Sequence, residues 1–173
     1  MTFQRRRSNP IATMFIGVAI LSLVLAAHSC SREDKVVFGL SDYNRIYTVF
    51  EHHKSPVPSV MTHAVLQTDY PYILTGVAIR ESNGTPWAIG DIGKSKGAFQ
   101  VQEKHWGSVP IEAGEQAKQA AAILEALVES RGSLRCRSTL RRTLAKYNGG
   151  TRPPKISYQY ADFVMNIKRG LKI

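Results

Sequence analysis

The sequence predicts a mainly α, single-domain fold with a glycine-rich loop or short hairpin at its centre. Three observations carry that expectation. Apolar residues recur at helical spacing in five separate segments. Between two of those segments, residues 82–110 lose the helical period and hold Gly84, Gly90, Gly93, Gly97 and Gly107. A chain of 173 residues that is 43 % hydrophobic can bury a core, which excludes a disordered polypeptide. Two distant cysteines, Cys30 and Cys136, supply neither a disulfide framework nor a four-ligand zinc site. No internal repeat or low-complexity tract interrupts the chain.

The first segment reads as a targeting element. Arg5, Arg6 and Arg7 precede the uncharged, mostly apolar run Ile11–Ala27, followed by Ser29. A basic region, an apolar stretch and then small residues make an export signal. Its 17 residues also sit at the lower limit for spanning a bilayer. Residues 1–29 are therefore a cleaved signal peptide or an N-terminal membrane anchor, with arginines on the inner side. Cys30 adds a third fate, since a cysteine just after such a run resembles the lipid-modified cysteine of bacterial lipoproteins. All three fates place the remainder outside the cytoplasm, in the periplasm or outer envelope, with membrane contact through residues 11–27 if they are retained.

Removing residues 1–29 takes away three arginines and no acid, leaving 20 Lys/Arg against 13 Asp/Glu, net +7. Such an excess points to an anionic partner. The cations scatter over Arg131, Arg135, Arg137, Arg141, Arg142, Arg152, Lys155, Lys168 and Arg169, either as a solvated helical face or as an anion-binding surface. Nucleic acid is excluded as the partner: an exported chain rarely meets it, and no aromatic residues interleave with the basic ones on a platform.

Residues 30–59 read as a tether with one short helix. Ser41-Asp42 is the expected cap, and Tyr43, Ile46, Tyr47 and Phe50 form the apolar stripe. Lys54–Ser59, with Pro56 and Pro58, is expected to be a linker. A second helix is expected from Asp69, as N-cap, to Glu81, with Pro71 in its first turn and Asn83-Gly84 stopping it. A third covers about Glu112 to Ser130, a fourth Ser138 to Tyr147 before Asn148-Gly149-Gly150, and a fifth Ile156 to Arg169. Tyr160, Phe163, Val164 and Ile167 share one face of the last.

Glu81 is the first candidate for chemistry. A carboxylate in the last turn of an apolar helix faces the negative end of the helix dipole, with Val77 and Ala78 restricting water. Both effects raise its pKa. A carboxyl partly protonated near neutral pH is what a general acid for glycoside cleavage requires. His52, His53, His63 and His105 lack metal-ligand spacing, so no metal and no cofactor is expected. Cys136 has no His/Asp companion and reads as inert. Among Trp87, Phe99 and Trp106, Trp87 stands in a polar loop and is the preferred sugar-stacking platform.

Four elements in order carry a resemblance: Arg80-Glu81-Ser82-Asn83; Gly97-Ala98-Phe99-Gln100; Ala145-Lys146-Tyr147-Asn148-Gly149-Gly150; and Tyr158-Gln159-Tyr160. Together they resemble the lysozyme-like lytic transglycosylases, the soluble-lytic-transglycosylase-like domain of bacterial and phage cell-wall enzymes. The stretch from Gly90-Asp91 through Gly93, Ser95 and Gly97 is also similar to invertebrate-type lysozymes. The resemblance implies a lysozyme-like catalytic domain over residues 60–173. It further implies cleavage of the β-1,4 bond between N-acetylmuramic acid and N-acetylglucosamine in peptidoglycan glycan strands.

Within that resemblance Glu81 takes the place of the catalytic acid, and Ser82 that of a hydroxyl orienting the substrate. Gln100 takes the place of an amide meeting the glycan's N-acetyl groups, with Gly97 keeping its turn small. Tyr147 and Asn148 line the cleft, and Tyr160 is the late tyrosine near the acid. Two departures stand out. Asn83-Gly84-Thr85-Pro86-Trp87 replaces the family's Phe-Asn-Pro run, and Asp91 stands where transglycosylases place no second carboxylate. Asp91 is either a routine turn residue or a second catalytic carboxylate, so lytic transglycosylation and lysozyme-type hydrolysis both remain open. A rival from another class is a non-catalytic wall-binding component of a secretion, conjugation or phage-entry apparatus.

Overall fold

A helix that is apolar on every side has to be surrounded, and one segment here meets that description. Pro71–Ser82 buries Pro71 and every residue from Ile73 to Ile79. In the computed structural model, which describes residues 38–128 and 132–171, this helix is α3 and the others pack around it. They are α1 (Leu40–His52), α2 (Pro58–Leu66), α4 (Glu103–Trp106), α5 (Ala113–Ala126), α6 (Arg137–Gly149) and α7 (Lys155–Leu171). Strands β1 (Ile89–Gly90), β2 (Ser95–Lys96) and β3 (Val101–Gln102) form a small antiparallel sheet in the order β1-β2-β3. The fold of the described residues is mainly α, as expected.

The expectations for residues 1–29 and Cys30 lie outside the described residues. Among the described residues no helix is long and apolar enough to cross a membrane. Those residues belong to one compact unit, and α1 is part of it: Ile46 and Phe50 are fully buried in the same core as Leu74, Val77, Leu144 and Val164.

The structure corrects several boundaries. Lys54–Ser59 is not wholly a linker, because Pro58 opens α2 at a first-turn position where its missing N–H costs nothing. The first helix begins at Leu40, and Asp42 acts from inside its first turn by accepting the Gly39 N–H at 2.8 Å. Asp42 also accepts from the Tyr72 hydroxyl, which ties α1 to α3. Asp69 is not the cap of α3; Tyr70 holds that position. The fourth helix runs through Asn148 and Gly149 to end at Gly150, where φ is +74°. Gly149 is small for a packing reason: a Cβ there would lie 2.3 Å from Ser157 Oγ and 2.8 Å from Pro154 Cδ.

Helices α3 and α7 approach closely at Gly76. At Gly76 an added Cβ would lie 2.9 Å from the Val164 carbonyl oxygen and 3.0 Å from its Cγ1. The obstacle is backbone, which cannot swing aside, so the missing side chain sets the α3–α7 spacing. Gly76→Val is expected to destabilise the protein by about 2 kcal/mol or more through overpacking. Urea denaturation reads this as a lower midpoint at unchanged slope; wild-type stability would show that the two helices are free to separate.

Candidate active site

Helix α3 ends beside the sheet. Asn83 takes the left-handed conformation (φ +54°), and its N–H and that of Gly84 return to Ile79 and Ala78 at 3.1 and 3.0 Å. The last helical residue, Ser82, donates its hydroxyl to the Ala98 carbonyl at 2.8 Å and accepts the Thr85 N–H at 2.9 Å. Ser82 therefore fastens the helix end to the turn between β2 and β3. Its hydroxyl is engaged with backbone on both sides, which gives Ser82 a positioning role at the helix end.

The glycine-rich segment is a meander. Ile89 and Gly90 pair with Lys96 and Ser95, and these pair in turn with Val101 and Gln102. Its first turn holds Asp91 and Ile92 at φ +49° and +55°, left-handed backbone that aspartate tolerates and a β-branched residue resists. Asp91 accepts the Ser95 hydroxyl at 2.6 Å and is itself exposed. In the second turn Gln100 has φ +48° and donates its side-chain amide to Gly97 and Ala88 carbonyls at 3.0 and 3.3 Å. Its Oε1 lies against Gly90, where a Cβ would come within 2.0 Å. Both amide hydrogens of Gln100 brace the meander, leaving Oε1 as its acceptor for an incoming group.

Gln116, 2 % exposed on α5, was not singled out in the sequence, yet it organises the whole segment. Its Oε1 accepts the Ala98 N–H at 2.8 Å, and its Nε2 donates to Pro110 and Pro86 carbonyls at 2.8 and 2.9 Å. Gly97 (φ +77°) allows this approach, since a Cβ there would stand 2.6 Å from the Gln116 oxygen. The signal was present: Ala113, Gln116, Ala117, Ala120, Ile123 and Leu124 form one buried stripe, on which Gln116 is the polar member. A polar side chain on an apolar stripe needs buried partners, and the glycine-rich loop supplies them.

Glu81 lies in the last turn of α3, half-buried, with its carboxyl pushed up to about 7. Burial is the main cause, and the negative charge of Asp91 adds to it. Hydrogen bonding from Tyr160 and the positive charge of Arg80 oppose the rise. The Tyr160 hydroxyl is buried and forms no hydrogen bond of ordinary geometry, so its pairing with Glu81 is loose while the two remain within electrostatic reach. Tyr147 is also within reach of that charge, and its hydroxyl donates to the Phe99 carbonyl at 2.8 Å, linking α6 to the Gln100 turn. Both tyrosines have pKa values pushed well up, first by burial and then by Glu81, so they stay neutral donors.

Glu81, Tyr147, Tyr160, Ser82, Gly97 and Gln100 thus belong to one connected region where α3, α6, α7 and the meander meet. Asp91 reaches Glu81 through its charge. Asn148 is exposed in the last turn of α6, and Trp87, 63 % exposed ahead of β1, stands out into solvent. Among the described residues no group of three or more His, Cys, Asp or Glu side chains could hold a metal ion. The arrangement offers one carboxyl able to give and take a proton near neutral pH, beside neutral phenols and a backbone held by glutamines. Comparisons of the chain with family models, curated proteins and solved structures gave no match.

Gln116→Leu removes the acceptor of the Ala98 N–H and the donor to two proline carbonyls. With buried unsatisfied groups costing about 1–3 kcal/mol each, the expected loss is about 3 kcal/mol. Amide exchange at Ala98–Gln100 should accelerate with it. Unchanged exchange there would show that the meander holds its shape without Gln116.

Proposed function

We propose that this chain is an exported muramidase that cleaves the β-1,4 bond between N-acetylmuramic acid and N-acetylglucosamine in peptidoglycan, acting as a lytic transglycosylase. The observation that carries the reading is the Glu81 carboxyl, raised to about 7 by burial at the end of α3 and flanked by Tyr147 and Tyr160. A lysozyme-like arrangement of the helices around the meander is part of the proposal, supported by the mainly α fold and by the order of the four sequence elements.

In this reading Glu81 begins protonated and gives its proton to the glycosidic oxygen as the bond to the muramic anomeric carbon breaks. The substrate's own N-acetyl group supports the developing positive charge. The Glu81 carboxylate then takes the proton from the muramic 6-hydroxyl as that oxygen closes onto the anomeric carbon, giving a 1,6-anhydro ring without water. Tyr160 donates more favourably to the ionised form than to the acid, easing the first transfer. Gln100, with both amide hydrogens held by Ala88 and Gly97, offers Oε1 to an N-acetyl N–H.

A hydrolytic lysozyme using Glu81 and Asp91 is the second reading, favoured by the effect of the Asp91 charge on Glu81. Against it stand the Ser95 hydroxyl occupying Asp91 and the left-handed turn that explains an aspartate there. A purely wall-binding role gives no reason for a carboxyl poised near 7.

Peptidoglycan digestion followed by mass spectrometry tests the proposal. Anhydro ends, lighter by one water, are expected from the wild-type chain; reducing ends would move the assignment to hydrolysis with Asp91. Glu81→Gln should lower turnover about 10²–10⁴-fold, the usual contribution of a general acid. Because the acid must start protonated, wild-type activity should fall as pH rises through about 7. Full turnover by Glu81→Gln would remove Glu81 from the chemistry.

A further inference from the structure

The basic residues scattered through the last third of the sequence do not all share one surface. Four of them, Arg135, Arg137, Lys168 and Arg169, converge on a cavity of about 350 Å³ whose apolar floor is Leu140 and Met165. Among the described residues no acidic one lines it. None of its residues belongs to the Glu81 region, and the proposed cleavage gives the cavity no role.

The two helix ends that frame the cavity treat charge differently. At the end of α7, Lys168 and Arg169 complement the negative pole of the helix dipole. At the start of α6, Arg135 and Arg137 crowd the positive pole, with no acid in the first turn and no side-chain cap. A cation there is unfavourable for the helix, and the Arg137 and Arg169 charges facing one cavity repel. A bound anion would relieve both. Arg135 and Lys168 have interactions of their own, so the recognition rests chiefly on Arg137 and Arg169, both exposed and both able to grip an oxyanion with paired N–H groups. Among the described residues Asp162 feels the Arg137 charge, but it is already gripped by Arg141 through two bonds of 2.7 and 2.9 Å.

We propose that this cavity binds a phosphate group. The tetrahedral oxyanion would sit between the Arg137 and Arg169 guanidinium groups at the start of α6, with the carbon portion of its carrier over Leu140 and Met165. That chemistry fits a phosphate monoester or diester more closely than a lone carboxylate, because two guanidinium forks from different helices can take separate oxygens of one phosphate. A phospholipid headgroup and a soluble phosphate carry the same group, and the experiment separates them.

The full-length chain in uncharged detergent micelles, labelled for NMR, is titrated with pyrophosphate. Saturable shifts are expected at the backbone amides of Arg137 and Ser138 and at the side chains of Arg137 and Arg169. Arg137→Glu with Arg169→Glu should weaken the binding at least tenfold, and the milder Arg137→Gln with Arg169→Gln severalfold. Arg152→Glu with Lys155→Glu changes the net charge equally and should leave it intact. Doping the micelles with phosphatidylglycerol then identifies the source: the same shifts, displaced by pyrophosphate, assign a lipid headgroup, and their absence assigns a soluble phosphate. Shifts that never saturate, or equal weakening by the Arg152/Lys155 pair, would overturn the site.

Discussion

Helix α3 is buried along almost its whole length, and that constraint determines where its last turn can be. With Ile73 to Ile79 enclosed by α1, α2, α5 and α7, the helix has no solvent side on which to put a charged residue until its end. Glu81 is therefore a carboxyl at the margin of the core, and burial, rather than any partner charge, dominates its proton affinity. The cost falls on stability. The folded chain holds this proton to about 7, and an unperturbed glutamate releases it near 4.5. Below pH 4.5 the burial is free of that penalty, and the penalty is complete once pH exceeds about 7. A fold that keeps such a group at its most buried helix has sacrificed stability at one position, a common property of functional sites.

The second layer of the arrangement is backbone geometry. Residues 82–110 anchor in the core only through Ala98, Phe99 and Val101 among their apolar side chains, so hydrogen bonds from side chains fix the rest of the segment. Gln116 grips the segment from α5, Gln100 from within, Ser82 from α3 and Tyr147 from α6. Lys96 and Glu103 add an exposed ion pair at 2.7 Å between β2 and α4, worth little beside the buried bonds. Glycines stand where these side chains pass close to the chain: Gly90 under Gln100 and Gly97 under Gln116. The meander is in effect an extension of the helical core, and its position relative to Glu81 follows from those four contacts.

Much of this was legible in the sequence where a residue's type admits one physical role. The apolar period of the helices, the stop at Asn83-Gly84 and the burial of Tyr160 and Val164 could be read directly. Glu81 could be picked out by its place at the end of an apolar helix taken together with the ordered run of Gln100, Tyr147-Asn148 and Tyr160 that follows it, since a glutamate at a helix end is by itself an ordinary surface residue. Residues with two uses were harder. Pro58 marks a loop or opens a helix, and only its packing decides. Gly149 reads as a terminator, yet it is a helical residue kept small by Ser157 and Pro154. Ser82 and Gln100 were expected to face a substrate, whereas their donors are spent on backbone carbonyls. Gln116 looked like one polar residue in an Ala-rich helix, since its partners lie 5 to 30 residues away. Long-range satisfaction of a buried amide leaves no local pattern.

The fold holds one carboxyl near half-protonation at neutral pH. Carbon-13 NMR of the side-chain carboxyl carbons, with Glu81→Gln assigning the resonance, measures this without any substrate. A Glu81 titration midpoint near pH 7 is expected. A midpoint near 4.5 would mean that water reaches the carboxyl freely, and the acid–base role built on its burial would fall with it.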